Sequence, residues 1–253
     1  MTGCPRLAAV VLTLNEATHL PDCLASLRSL TNQIIVLDSG SSDGTQTIAA
    51  GFGALVETRA FDGYASQRNA ALDLAGDAEW VLFLDADERL TPAGANEIRN
   101  AIASAQPELA AFWLPRRNLF FGRALRGGGW WPDEQARLLR PGRVRYDLSR
   151  QVHEVVVIDG SSRRLREPII HLNYANRREF IVKQRAYTFQ RVQQSPATAA
   201  PRRRAYLGGP ARELWRRFVR MKGYRDGLTG LFLAGVLALE EARAVWLLRS
   251  MRS

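Results

Sequence analysis

The sequence predicts an α/β fold built on a mostly parallel sheet with helices on both faces. Three observations carry that expectation. Short apolar, β-rich runs alternate with segments of helical spacing. The first strands read as near-continuous apolar blocks, as strands buried on both faces do. The turns between them collect Ser, Asp and Gly.

Leu7 to Leu14 is the first such run, and Leu20, Leu24 and Leu27 recur behind it at helical spacing. Ile34 to Leu37 is the second strand, followed by a Ser/Asp/Gly turn and a helical stretch through Ile48. Ala54 to Val56 is a short third strand, Tyr64 to Ala75 a helix, Trp80 to Leu84 a fourth strand and Ala93 to Ala103 another helix. Beyond them Phe112 to Leu114, Ala136 to Leu139 and Gln151 to Ile158 read as strands, with Gly127-Gly128-Gly129-Trp130-Trp131-Pro132 as a loop. From about Asn176 the pattern turns helical, and Arg212 to Lys222 reads as a basic amphipathic helix before the apolar Gly227 to Leu239 segment. The expected organisation is an α/β domain over 1–175, divided near 105 into two halves, and a helical basic extension over 176–253.

Composition narrows the function. The chain has 253 residues, 46% of them hydrophobic and 24% charged, which argues against wholesale disorder and against a polytopic membrane protein. The net charge of +10 is uneven: residues 1–162 hold 15 basic against 19 acidic side chains, and residues 163–253 hold 20 against 6. Arginine dominates, with lysine only at 183 and 222, so the C-terminal third is suited to anionic partners, phospholipid or nucleic acid. Two cysteines, Cys4 and Cys23, make no disulfide framework and point to a reducing, cytoplasmic compartment. The Leu7 to Leu14 run has no cleavage pattern behind it and suits a core strand better than a signal peptide. The longest apolar uncharged run is thirteen residues, short of a membrane span.

In open α/β sheets ligands sit outside the carboxyl ends of the strands, and three such ends here carry acids. They are Leu14-Asn15-Glu16, Asp38-Ser39-Gly40-Ser41-Ser42-Asp43 and Asp85-Ala86-Asp87-Glu88. Crowded carboxylates repel, so their gathering calls for donors or a cation. Asp85 and Asp87, two apart at a strand end, would share a face and suit Mg²⁺ or Mn²⁺, which bind through a few carboxylates plus substrate phosphates. An acid there also caps a following helix. Asp38 suits a ribose hydroxyl or a base edge, and Asp43 serves equally as ligand or helix cap. Neither the dinucleotide glycine fingerprint nor the P-loop pattern is present, which disfavours redox cofactors and P-loop chemistry.

Together with Thr13, with Gly44-Thr45 and with Gln67-Arg68-Asn69, these ends resemble, in order, the signature of family 2 glycosyltransferases of the GT-A, Rossmann-like fold. Trp130 to Leu138 and Val152-His153-Glu154 resemble the subgroup of bacterial lipopolysaccharide core glucosyltransferases. The resemblance implies inverting transfer from a nucleotide-diphosphate sugar to a hydroxyl. Leu14, Asn15, Glu16, Asp38, Ser39, Asp43, Arg68, Asp85 and Ala86 would line the nucleotide pocket, and Asp87 with Asp85 would hold the cation. Asp133 would be the base, with Glu134 as the alternative because the family often shows this acidic pair in the opposite order.

Of the three histidines, His19 opens a helix, His153 is either a packed strand residue or a metal ligand, and His171 ranks behind it. Trp130 and Trp131 would stack on an acceptor sugar or anchor a core, with the adjacent glycines freeing the loop to move and Arg137 nearby for the acceptor. Arg212, Trp215, Arg216, Phe218 and Arg220 combine a cationic with an apolar stripe, as an interfacial membrane helix does. The expected partners are a nucleotide-sugar, a lipid-linked saccharide and an anionic membrane on its cytoplasmic side. A polyprenyl phosphate or another envelope glycan is the alternative acceptor. A non-catalytic nucleic-acid-binding module is the alternative of another class, although nucleic acid is not the expected partner.

Overall fold

The computed structural model describes residues 5–149, 155–194 and 205–250. In chain order the elements begin β1 (Leu7–Thr13), α1 (Leu20–Leu27), β2 (Gln33–Asp38), α2 (Thr45–Gly51), β3 (Leu55–Thr58), α3 (Tyr64–Leu74), β4 (Trp80–Asp85), β5 (Glu88–Arg89) and α4 (Pro92–Ala103). Then come β6 (Leu109–Phe120), β7 (Arg123–Ala124), β8 (Asp133–Leu139), β9 (Val144–Tyr146), β10 (Val156–Ile158), β11 (Ser161–Arg164) and β12 (Ile169–Tyr174). The helices α5 (Arg177–Gln193), α6 (Ala205–Trp215) and α7 (Gly227–Ser250) close the chain. The fold is mixed α/β, as expected, with a mostly parallel first half of the sheet and a helical C-terminal extension.

The main sheet runs β3-β2-β1-β4-β8-β6-β12-β5, with β7 and β11 also paired to β6, while β9 and β10 form a separate ribbon. The order 3-2-1-4 at its start is that of half a dinucleotide-type sheet, and β1, β2, β3 and β4 all run parallel. The register aligns their carboxyl ends: Thr13 faces Asp38, Asp38 faces Thr58 and Leu12 faces Asp85. β8 then pairs antiparallel to β4, Leu139 with Val81 and Leu138 with Leu82, so β8 begins at the edge where β4 ends.

Two compact units divide the chain, residues 1–116 with 134–171, and residues 117–133 with 172–253. In the first, successive β4 residues alternate between two cores, Leu82 and Leu84 packing with α1 and α4 residues, Val81 and Phe83 with α3 residues. A strand that buries both faces has no polar position to offer, which is why its sequence is apolar from Trp80 to Leu84. Thr91 caps α4 by accepting a hydrogen bond from the Gly94 amide, and Pro92 occupies the first turn, where no amide is needed. In the second unit Phe120, Leu125, Tyr174, Phe180 and Leu233 form a smaller, mostly aromatic core. Asn176 caps α5 at the Glu179 amide, and Glu179 reaches back to the Ala175 amide, a reciprocal cap.

The basic helix expected over Arg212 to Lys222 ends earlier. α6 passes at Trp215 into one wide turn, Arg216–Arg220, and Lys222 turns left-handed at φ 59°. The turn lets residues 222 and 223 press against Gly127 and Gly230. A β-carbon at Gly127 would sit 2.1 Å from the Lys222 carbonyl oxygen, and one at Gly230 2.0 Å from that of Gly223. Close backbone approach thus requires glycine at both places. Gly127 and Gly128 are buried, and the Gly128 amide donates to the Met221 carbonyl at 2.8 Å. This glycine-rich loop is therefore a packed one.

Among the described residues no helix is long and apolar enough to cross a membrane.

Candidate active site

The site grows from the aligned strand ends of the first unit. After β1 the chain turns through Asn15 at φ 56°, a left-handed geometry that asparagine tolerates better than most residues. The Asn15 amide donates to Ser41 Oγ at 2.8 Å, and its side-chain oxygen accepts from the Ser42 amide at 2.9 Å. The Glu16 amide donates to Thr45 Oγ1 and the Ala17 amide to Asp43 Oδ2. The loops after β1 and β2 are thus tied into one platform. Leu14, at the tip, is half exposed.

Asp38 is buried and both of its oxygens are engaged. It accepts from Thr13 Oγ1 at 2.9 Å, from the Gly40 and Ser41 amides at 3.0 and 2.8 Å, from Ser41 Oγ at 2.5 Å and from Gln46 Nε2 at 2.7 Å. Burial alone would raise its pKa, but the Ser41, Gln46 and Thr13 donors together hold it below the ordinary range. Asp43 is exposed and is also held low, first by the Thr45 hydroxyl at 2.5 Å and then by the Ala17 amide. The Ser39 amide donates to the Thr13 carbonyl, and Ser39 Oγ accepts from Gln67 at 3.4 Å.

At the end of β4 the two aspartates part company. Asp85 accepts from Arg137 at 2.5 Å and from Arg68 at 3.3 Å, while Asp87 Oδ2 lies 3.2 Å from His171 Nε2. Arg68 packs its guanidinium 5.3 Å from the centre of the Phe83 ring and 5.7 Å from that of Tyr146. Glu88, fully buried, accepts from Arg137 at 2.8 Å and Arg116 at 3.3 Å, and takes the Asp85 amide at 3.0 Å. Two acids and three arginines thus interlock. Burial works against the Asp85 charge, but Arg137 and Arg68 override it and hold its carboxyl well below the carboxylate range. For Glu88 burial wins, reinforced by the Asp85 charge, and its pKa is raised despite Arg137 and Arg116. Ala86 is buried, its carbonyl accepting from Arg89 at 2.7 Å.

Arg68, Asp85, Arg116, Gln135, Arg137 and Tyr146 are among the residues lining a cavity of about 430 Å³ at this edge, in the size range of small-molecule sites. Glu134 pairs with Arg164 at 3.0 Å. In the second unit Asp133, the first residue of β8, accepts from Asn118 Nδ2 at 3.1 Å, and Asn118 also donates to the Trp130 carbonyl and accepts from Asn173. Trp130 joins the aromatic core 4.7 Å from Phe120, with Arg217 over its ring, and Trp131 lies under Arg117 at 4.6 Å.

His153 lies outside the described residues, and the histidine set against Asp87 is His171. Among the described residues no cluster of three or more His, Cys, Asp or Glu could hold a metal ion. Asp87 and His171 bring an oxygen and a nitrogen donor within 3.2 Å of each other, a pair that could serve an ion taking its remaining ligands from water and a diphosphate. Sequence reasoning passed over Glu88 and Arg116. Glu88 stands in the acidic motif itself, but its partners Arg116 and Arg137 are 28 and 49 residues away, beyond any local spacing rule.

Comparison with known proteins decides the family. Residues 8–144 match the model of glycosyl transferase family 2. A lipopolysaccharide core biosynthesis glycosyltransferase of Rhizobium meliloti, LpsC, is 31% identical over 235 residues, which is 90% of this chain and 86% of that protein. The chain belongs to glycosyl transferase family 2. A TPR repeat-containing protein of Synechococcus elongatus is 35% identical over 154 residues, 60% of this chain and 35% of that longer protein. Among solved structures, glucosyl-3-phosphoglycerate synthase from Mycobacterium tuberculosis, in complex with Mn²⁺ and UDP-glucose, aligns at TM-score 0.38 and 21% identity over 46% of this chain and 43% of that one.

The membrane candidates lie in the second unit. Arg212, Trp215 and Arg220 are exposed, Phe218 is half-buried, and Arg216 is held by Glu213 at 2.6 Å.

Proposed function

We propose that this glycosyltransferase moves a sugar, glucose from UDP-glucose, with inversion onto a lipid-linked saccharide such as the lipopolysaccharide inner core, at the cytoplasmic face of the membrane. The near full-length similarity to a lipopolysaccharide core enzyme carries the proposal. Residues 1–105 would hold the donor, 106–175 the acceptor, and 176–253 would meet the membrane.

In this reading the Asn15–Asp43 platform seats the nucleotide. Asp38 acts chiefly by fixing the loop from Gly40 to Ser42, whose amides and hydroxyls it gathers. Asp87 and His171 would hold Mg²⁺ or Mn²⁺, which when bound offsets the charge that builds on the departing diphosphate. Asp85, engaged by arginines, would act from behind, keeping Arg68 and Arg137 at the cavity wall where the diphosphate adds negative charge. The acceptor hydroxyl attacks the anomeric carbon as the bond to the diphosphate oxygen breaks. Asp133, whose carboxylate accepts from Asn118 Nδ2 at 3.1 Å, is the residue we assign to take the hydroxyl proton. Glu134, paired with Arg164 at 3.0 Å, is the alternative base.

Calorimetric titration of UDP, with GDP as comparator, tests the donor site. Manganese-dependent UDP binding in wild type should weaken about tenfold or more in Asp87→Ala and in His171→Ala, the scale of a lost metal ligand or its orienting partner. Metal-independent binding, unchanged in both variants, would refute the pair as the cation site.

A further inference from the structure

The second unit contains a larger opening than the one at the strand ends. Arg117, Arg123, Arg126, Arg225, Trp131 and Asp226 are among the residues that line a cavity of about 690 Å³, wholly within this unit. Four arginines share its lining with one aspartate. That carboxylate is already committed: Asp226 Oδ1 accepts from the Arg126 amide at 2.8 Å and Oδ2 from the Gly127 amide at 2.9 Å, which fixes the loop before Trp130. Among the described residues none of the four arginines forms an ion pair, whereas Arg216 and Arg217, on the same extension, both pair with Glu213. Arg123, Arg126 and Arg225 are exposed. Arg117 is half-buried, with its guanidinium carbon 4.6 Å from the centre of the Trp131 ring, a cation–π contact at the wall of the cavity.

Cations brought together without counter-charges repel, and a built cavity that gathers them is stabilised by a dianion placed among them. The planar guanidinium fork matches phosphate oxygens two at a time, and a phosphomonoester offers more charge and more free oxygens than a phosphodiester. The indole face beside them suits the apolar face of a sugar ring. We infer that this cavity is a binding site for a phosphomonoester carried on a saccharide, the phosphate among Arg123, Arg126 and Arg225 and the sugar against Trp131. The inference deepens the proposed function, on which its placement in the acceptor rests, by making the acceptor a phosphorylated one.

The test measures binding of glucose 6-phosphate, inorganic phosphate and glucose to the full chain by calorimetry. A second arm uses phosphatidylcholine vesicles with and without phosphatidic acid, whose headgroup is also a phosphomonoester. Wild type should bind glucose 6-phosphate more tightly than glucose by about tenfold or more, the scale of one charge-assisted contact. The triple variant Arg123→Gln/Arg126→Gln/Arg225→Gln should lose that advantage while its manganese-dependent UDP binding is unchanged. Binding of phosphatidic acid vesicles alone, lost in the same variant, would support the site and make the lipid headgroup its source. Equal response to glucose and glucose 6-phosphate with no vesicle binding, or affinities unmoved in the variant, would overturn it. Loss of UDP binding in wild type with phosphomonoester binding intact would overturn the donor assignment and leave this site standing.

Discussion

Arg137 holds two carboxylates of the first unit in place, so replacing it by methionine tests the whole charge cluster. Its side chain is 3% exposed and reaches Asp85 at 2.5 Å and Glu88, which is fully buried, at 2.8 Å. At an effective dielectric of about 20, a charge pair at this separation attracts by about 6 kcal/mol. Desolvation cancels part of that, and breaking one side of a buried pair costs about 3–5 kcal/mol because the abandoned charge stays buried. Arg137→Met should therefore lose about 3–5 kcal/mol in urea unfolding at pH 7. The cost should depend on pH in one direction. The Glu88 pKa is already raised in the folded protein, and without Arg137 it rises further. Between its unfolded value of 4.5 and that raised value the folded variant binds a proton the unfolded chain does not, so stability falls as pH rises through that window. The deficit should then be smaller at pH 5 than at pH 7, and Glu88→Gln added to Arg137→Met should recover part of it. A loss below about 1 kcal/mol, or one equal at both pH values, would refute a buried charge cluster at this position.

Asp133→Asn should leave UDP binding intact and lower the transfer rate by about 10²–10⁴-fold, the usual worth of a general base, with Glu134→Gln much milder; steady-state kinetics showing the reverse order would move the role to Glu134. Acid should unfold the protein in a defined window. Asp38, Asp43 and Asp62 are all held below their ordinary 3.8, Asp62 to about 2 by Arg59, so the stability they contribute is complete above pH 3.8 and lost as pH falls through each lowered value, near pH 2 for Asp62. Asp62→Asn should flatten that part of a urea-midpoint profile, and an unchanged profile would exclude it as a contributor. On α7, Leu228, Leu239 and Trp246 are 81%, 70% and 62% exposed. If this face enters a lipid surface, Leu228→Ser and Trp246→Ser should each weaken sedimentation with anionic vesicles by roughly tenfold, the scale of withdrawing one large apolar side chain. Unchanged sedimentation would assign the membrane surface elsewhere.

What the sequence revealed follows from the range over which its signals act. The parallel half was legible because β1, β2 and β4 are buried on both faces, and an apolar block between Gly- and Asp-bearing turns is visible in a few residues. Strands β9, β11 and β12 were not foreseen: Val144–Tyr146 and Ser161–Arg164 are too short or too polar to show a period, although Ser161–Arg164 pairs along β6. β6 itself runs twelve residues, far beyond Phe112 to Leu114, because Pro115-Arg116-Arg117-Asn118 breaks the apolar pattern without breaking the strand. The site divides in the same way. Contacts made within a motif, such as Asp38 to Ser41 or Asp43 to Thr45, follow from turn chemistry and can be read locally. The partners of Asp85 and Asp87 come from Arg137 and His171, 52 and 84 residues away, where sequence offers only a residue type in an apolar strand. Arg137 shows the consequence. As a surface residue it would read as a contact for an incoming anion. Buried between Asp85 and Glu88 it instead fixes the charge of the cavity wall, so its effect on any bound diphosphate acts through where it holds Asp85.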